Sequence, residues 1–549
     1  MWSHRLPASL VLCASLAAAG CQTYGAPPPP LPPPPPPPPA IMPPPPAPAP
    51  VMAMPGMPEA EAGRGIRRDT ARFDREGYRA IQENEFLDVT ANPLSTFAID
   101  VDAASYSNVR RFLRENRLPP RDAVRIEELV NYFDYDYPDP AGDDPFSITT
   151  EISVAPWNPA HRLVHVGLQG KRIASRDLPP NNLVFLVDVS GSMQVHNKLP
   201  LVKESLRMLV RELRPQDRVS LVVYAGAAGV VLPPTPGSRK ERIAQAIEQL
   251  EAGGSTAGGA GILLAYRTAR ESFLEGGNNR VILATDGDFN VGASSDAALV
   301  QLIEQEREKG IFLTVLGFGT GNYQDGKMEQ LADHGNGNYA YVDGREEARK
   351  VLVREMGGTL LTIAKDLKVQ IEFNPARVKA YRLIGYENRL LAAEDFADDS
   401  RDAGELGAGH SVTALYEIIP ADSEEPVRTA GTLRYQETRP RDAATGAELM
   451  LVKLRYKDPT GTESRLVEAP VVDRGIDLAS TSDDFRFSAA VAQWGMLLRD
   501  SRFKGNASWP AVLQLAQGSL ADDGGGYRAE FIRLVTESQR LAIHSGRDQ

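Results

Sequence analysis

Residues 183–193 read LVFLVDVSGSM. Five apolar residues at 183–187 predict a strand buried on both faces, as in a parallel sheet. The strand runs into Asp188-x-Ser190-x-Ser192. Beyond it Leu199, Val202, Leu206, Leu209 and Leu213 recur at helical spacing on one face. A buried strand, a short polar loop and an amphipathic helix make the first βα unit of an α/β fold. In open sheets of that kind, ligands bind at the carboxyl ends of the strands. One carboxylate and two hydroxyls on such a loop look like half of a site for a hard cation.

The other half lies downstream. Thr256 sits in the glycine-rich stretch 253–259, GGSTAGG, ahead of a helical pattern at 262–273. Asp286 follows a second apolar strand at 281–284, within VILATDGDFN. Asp-x-Ser-x-Ser alone is also an ordinary turn or helix cap. Followed by Thr and then Asp, each on a strand-end or helix-start loop, it resembles the metal-ion-dependent adhesion site of von Willebrand factor type A domains. That resemblance implies Mg²⁺, or Mn²⁺ or Ca²⁺ in its place. Ser190, Ser192 and Thr256 would supply hydroxyl oxygens directly or through water, and Asp188 and Asp286 would mostly hold waters. Mg²⁺ takes six oxygens in near-octahedral geometry and keeps several waters. Neutral direct ligands leave the ion underneutralised, so it would attract an Asp or Glu presented by a protein partner.

The amino-terminal end has its own pattern. Residues 1–20 carry His4 and Arg5 and then a mostly apolar run at 8–19, too short to span a bilayer. The run ends in small residues before Cys21 and resembles a bacterial lipoprotein signal, which implies that Cys21 becomes a lipidated first residue. Ala18 departs from the usual leucine, and a secretory signal with a chance cysteine is the alternative. The chain has two cysteines, Cys13 and Cys21, so a mature chain would hold no disulfide and would rely on its core. In a cell with two membranes, Gln22 points to the outer one by resemblance to known sorting. Residues 21–72 read as a disordered tether. Its 26–50 stretch is nearly all proline and predicts polyproline II, roughly 3.1 Å per residue and on the order of 70 Å in all. No other stretch is apolar enough to span a membrane.

Residues 73–140 predict mixed helix and short strand. There Asp100 and Asp102, followed by Ser105 and Ser107, read as helix capping and surface polarity rather than a second metal site. Strands at 146–154 and 162–168 fall within a β-region, 145–180, and the α/β domain occupies 181–355. Strands resume at 367–373, 378–386, 411–419, 432–435, 449–456 and 463–468, within 365–475. Short strands on both sides predict an antiparallel sandwich into which the α/β domain is inserted, or which flanks it. Residues 480–545 are helical, with Phe487, Val491, Trp494 and Leu498 on one stripe and Tyr527, Phe531, Leu534 and Leu541 on another. The acidic run 394–402 lacks the spacing of an EF-hand loop and reads as solvated. The expected fold class is α/β: a doubly wound, mainly parallel sheet with a sandwich-like β-domain and helical segments at both ends.

The match is broader than one domain. Residues 92–97 (NPLSTF) and 134–138 (DYDYP) resemble the segment upstream of the A domain in a family of bacterial lipoproteins. Residues 381–389 (YRLIGYENR) and 402–410 (DAGELGAGH) resemble that family's carboxyl-terminal domain of unknown function. What the resemblance implies is architecture, metal binding and an envelope location, with no reaction attached.

Other chemistry finds little support. Residues 321–327 satisfy the first seven positions of a phosphate-binding loop, but Met328 stands where a Ser or Thr must hold Mg²⁺. No Gly-x-Ser-x-Gly, His-Glu-x-x-His or Cys-x-x-Cys occurs, and His196 beside the metal loop reads as a surface residue. A net charge of -12 argues against nucleic acid. The expected function is therefore metal-dependent protein binding at a membrane-tethered site, without nucleotide and without catalysis. The alternative is an envelope structural protein whose metal only stabilises the fold and whose partners dock through the β-domain.

Overall fold

The computed structural model describes residues 76–546 except 255–257, 288, 290–295, 322, 356–360, 430–440 and 522. The expectations for the signal at 1–20, Cys21, the tether at 21–72, Thr256 and the strand at 432–435 lie outside the described residues.

Residues 183–187 do form a strand, Asn181–Asp188, at the heart of a six-stranded sheet. Its order runs Tyr339–Val342, Ile311–Phe318, Asn278–Thr285, Asn181–Asp188, Arg218–Tyr224 and Ala228–Pro236. Every neighbouring pair is parallel except the last, where Ala228–Pro236 lies antiparallel on Arg218–Tyr224. Alternation along the strand divides its side chains between two cores. Leu183, Phe185 and Val187 pack with Val202, Leu206 and Leu209 of the helix Leu199–Glu212. Val184 and Leu186 face Ile262 and Ala265 of the helix Gly258–Glu271. Burial on both faces is why the strand reads as an unbroken apolar run. Each such side chain contributes roughly 1.5–3 kcal/mol.

Two antiparallel sheets enclose a further core. One orders Leu87–Asp88, Val378–Ile384, Ser411–Pro420, Asn158–Gly170 and Phe146–Ala155. The other runs Gly404–Gly407, Thr362–Phe373, Glu448–Lys457 and Ser464–Val472, with Leu94–Ala98 also paired to Thr362–Phe373. Phe373 stacks on Tyr381 across the two sheets with ring centres 4.0 Å apart. Strands from before and after the α/β domain share these sheets, so that domain is an insertion in the sandwich.

Residues 73–140 build no core of their own. Their strand Leu94–Ala98 completes a sandwich sheet, and their helices Ala104–Arg114 and Ile126–Asn131 join the carboxyl-terminal helices Asp483–Arg499, Trp509–Gln517 and Tyr527–Ser545. Tyr106 stacks on Tyr132 at 3.8 Å, and Phe133 meets Phe487 edge-on at 4.8 Å. The apolar stripes of Phe487, Trp494 and Phe531 are docking faces within this core. Ser482 caps the helix it precedes by accepting the Phe485 N–H at 3.0 Å.

Candidate metal centre

The parallel register pairs Val187 with Ala284 on one side and Asp188 with Tyr224 on the other. It therefore delivers Asp188, Tyr224 and the Thr285-Asp286 pair to the same carboxyl edge of the sheet. Asp188 is fully buried; its Oδ1 accepts the Ser190 N–H at 2.8 Å and its Oδ2 accepts the Tyr224 hydroxyl at 3.1 Å. After Ser190 the chain turns through a short 3-10 helix, Gly191–Gln194. The Ser190 and Ser192 hydroxyls lie 3.0 Å apart, and Ser192 donates to Asp286 Oδ2 at 2.7 Å. Four of the five expected residues, Asp188, Ser190, Ser192 and Asp286, thus join in one hydrogen-bonded chain. Ser192 is exposed, so the chain opens to solvent at that link.

Thr256 lies outside the described residues, but the loop leading to it is tied to the motif. Gly191 N–H donates to the Gly254 carbonyl at 3.0 Å, and Gly253 N–H donates to the Val189 carbonyl at 2.7 Å. Gly254 has φ +85, a conformation open to glycine at little cost.

Burial decides the electrostatics. It pushes the Asp188 carboxyl up to about 6, with the Asp286 charge adding and the Ser190 and Tyr224 hydrogen bonds opposing. Burial beside Asp188 pushes the Tyr224 phenol well above its ordinary range. The Lys198 ammonium, itself buried, sits on Asp286 Oδ2 at 2.8 Å. Its stem crosses Gly319, where a Cβ would meet Lys198 Cε at 2.4 Å. Lys198, Tyr224 and Thr285 were not singled out by sequence. The signal for them was positional, since two end strands at the ligand edge and one precedes the helix behind the motif.

These residues fit a divalent cation. Two fully buried carboxylates, Asp188 and Asp286, share this edge, and the ammonium on Asp286 shows a cation to be accommodated there. Among the described residues the side chains able to act as ligands here, Asp188, Ser190, Ser192 and Asp286, offer oxygens, which suits Mg²⁺, Mn²⁺ or Ca²⁺. Ser190 and Ser192 would hold the ion, with Asp188 and Asp286 orienting its waters. The ion would supply an electrophilic position at the carboxyl edge of the sheet.

A second charged region lies at the junction of the three parts of the chain. Arg125 binds Glu128 and Asp325. Arg389 reaches Asp100 at 3.0 Å, Glu329 at 3.3 Å and Asp333 at 2.7 Å. Arg110 joins Asp343 and Glu347, each at 2.6 Å, to Glu530 at 3.0 Å. Asp100 and Asp102, expected as caps and surface polarity, are both 4% exposed. The helix that follows has Ala103 at its cap position and no side-chain cap. Their short spacing on a polar stretch resembled a cap because the sequence does not show Arg389 arriving from the sandwich.

A doubly wound α/β sheet with this hydroxyl and carboxylate constellation at its carboxyl edge defines a von Willebrand factor type A domain. The profile of that domain matches residues 182–354, and a von Willebrand factor profile matches 72–165. The profile described as uncharacterized protein YfbK, C-terminal, matches 358–541. The uncharacterized protein YfbK of Escherichia coli (strain K12) is 46% identical over 466 residues, 83% of this chain and 80% of that protein. The chain belongs to the YfbK family of bacterial proteins with a type A domain. Inter-alpha-trypsin inhibitor heavy chain H3 of Pongo abelii is 27% identical over 201 residues, 34% of this chain and 23% of that one. The solved von Willebrand factor type A protein from Catenulispora acidiphila is 18% identical and covers 69% of this chain and 88% of its own, with a TM-score of 0.37.

Proposed function

We propose that this chain is a membrane-tethered protein-binding module whose strand-end centre holds Mg²⁺, or Mn²⁺ or Ca²⁺, and that a partner's Asp or Glu completes the ion's shell. One observation carries this reading. Asp188, Ser190, Ser192 and Asp286 form a continuous hydrogen-bonded chain whose Ser192 link is exposed to solvent. Neutral hydroxyl ligands leave net positive charge on the ion, which favours capture of a carboxylate over activation of water. The tether at 21–72 and a lipid on Cys21 would anchor the module in the cell envelope, at the outer membrane of a cell that has one. In this reading the protein is an adhesion or scaffolding element and has no catalytic role.

The depth at which Asp188 is buried and held by Ser190 and Tyr224 favours a second reading, in which the ion only stabilises the fold and partners dock through the sandwich. Isothermal titration of Mg²⁺ and Mn²⁺ into chelated protein, beside Asp188→Ala, tests both. Binding to the parent that vanishes in a folded variant supports the first reading. A variant that cannot fold supports the second. A folded parent that binds neither ion removes the adhesion reading.

A further inference from the structure

A cavity of about 190 Å³ lies where the segment at 98–102, the α/β domain and the sandwich meet. Its walls bring Asp100, Asp102, Asp333, Asp402 and Glu405 together against Arg389. That guanidinium satisfies Asp100 and Asp333. It does not satisfy the others. Asp102 Oδ1 accepts the Tyr339 N–H at 2.8 Å, but its Oδ2 is buried, accepts no hydrogen bond and faces Arg389 Nη2 only at 3.6 Å. Glu405 Oε1 is likewise buried without a donor. A buried carboxylate oxygen left without a donor is costly, so two on one cavity wall call for a missing partner.

The Glu405 end of this wall holds the converging set. One carboxylate oxygen from each of Asp366, Asp402 and Glu405 lies within 4.8 Å of the other two. The fold brings them there from two strands. Asp366 sits at the irregularity in Thr362–Phe373, between its pairings through Lys365 and Lys368, with φ +53. Asp402 and Glu405 flank the start of Gly404–Gly407, which pairs along the same strand. Lys457 Nζ reaches Asp366 at 2.7 Å, and Arg307 of the helix Asp296–Glu308 binds Asp402. Neither cation bonds the buried Glu405 oxygen. Carboxylates this close need a shared proton or a shared cation.

We infer that Asp366, Asp402 and Glu405 bind a divalent cation of the calcium class, at a site that shares no residue with the strand-end centre. The donors are all oxygens, which selects a hard ion. Three carboxylates approaching from a bulge and a strand end suit the flexible six to eight oxygens of Ca²⁺ better than the near-ideal octahedron of Mg²⁺. Asp402 is half-exposed, at 41%, and gives the site an entry path. The cavity beside it has room for waters to complete the shell. Through the Arg307 ion pair on Asp402, the ion would pin the α/β domain to the sandwich.

The test uses the full chain carrying Asp188→Ala, which silences the strand-end centre, after chelation. Isothermal titration with Ca²⁺ is expected to show one ion bound, and Ca²⁺ is expected to raise the thermal midpoint. Adding Glu405→Gln or Asp402→Asn should weaken binding by more than about tenfold, the range seen when even outer-shell groups of a metal site are changed. Both variants should also lose the midpoint shift. If Glu405→Gln fails to fold, the half-exposed Asp402→Asn, checked by circular dichroism, decides. A folded Asp188→Ala chain that takes up no Ca²⁺ at millimolar concentration overturns the inference. So does uptake that Asp402→Asn leaves unchanged.

Discussion

Two groups of buried carboxylates behave in opposite ways. At the strand-end centre, Asp286 meets Lys198 and the exposed Ser192 hydroxyl, and Asp188 meets the buried Tyr224 hydroxyl. At the junction, buried Asp100, Glu128, Asp325 and Glu329, with the partly exposed Asp333, are held by Arg125 and Arg389. The first group is held by hydroxyls, the Ser192 hydroxyl on an exposed residue among them. Most of the second is closed by guanidinium forks, whose planar donors match carboxylates in pairs. The difference teaches that buried acid is no signature of a ligand site until its donors have been accounted for. By that criterion Asp102 Oδ2, Glu405 Oε1 and both oxygens of Glu127 stand out, and of these Glu405 alone belongs to a converging set of three carboxylates among the described residues.

Removing a guanidinium gives the largest effect expected. Arg125→Met leaves Glu128 and Asp325 buried without their cation and should cost about 3–5 kcal/mol in urea unfolding, leaving Mg²⁺ affinity unaltered. An equally large loss of Mg²⁺ binding in a folded Arg125→Met chain would show the two regions to be one coupled system.

Proton linkage separates the junction from the sandwich. Burial, with Glu387 and Glu128 adjacent, pushes the Glu127 carboxyl up to about 8. A carboxyl raised in the folded state contributes stability fully below its unfolded value of about 4.5, and that contribution is lost as pH rises toward 8. Burial pushes His165 down to about 3 and His410 down to about 4. A histidine lowered in the folded state contributes above about 6.5 and loses that contribution as pH falls toward those values, roughly 5 kcal/mol for His165 and roughly 3 kcal/mol for His410. Urea midpoints should therefore fall on both sides of a mildly acidic maximum. Glu127→Gln should make the alkaline side shallower and leave the acid side alone, since burial also pushes the neighbouring Glu128 up to about 8; an unchanged alkaline side would remove Glu127 from the account.

The metal centre should respond to its own groups. Asp188→Ala is expected to abolish Mg²⁺ binding. In the parent, protons compete for Asp188 below about pH 6, so affinity should fall about tenfold per unit beneath that point, checked by titration at pH 7.5 and 5 or nearby values. Lys198→Met removes the ammonium from Asp286 and should tighten Mg²⁺ several-fold; weaker binding would instead make Lys198 a support for the ion's waters. The smallest effect belongs to a site outside both groups. Ser482→Ala removes the cap on Asp483–Arg499 and should cost about 1 kcal/mol in thermal or urea unfolding, with metal binding unchanged.

Much of the architecture was legible as pattern. The strand expected at 411–419 differs from Ser411–Pro420 by one residue, and that at 146–154 differs from Phe146–Ala155 by one residue. Strand ends were less legible where a neighbour extends the ladder. Asn158–Gly170 starts ahead of its apolar run at 162 because Asn158 pairs with Ala155 across the turn. At the metal centre, Asp188, Ser190 and Ser192 were legible because they fall within five residues of one loop. Tyr224 and Lys198 were not, because a tyrosine ending an apolar strand and a lysine before a helix are ordinary there.

What the sequence determined by itself was everything written in local periodicity: the buried central strand, the loop that bears the hydroxyls, the helix behind it and the short strands of the sandwich. Only the tertiary structure decided the pairing of Leu94–Ala98 with Thr362–Phe373, the shared core of the first and last helices, and the fate of Asp100 and Asp102. The physical reason is range. Periodicity records which face of an element is buried, whereas a charge more than two hundred residues away leaves no mark on its partner's neighbours until the chain has folded.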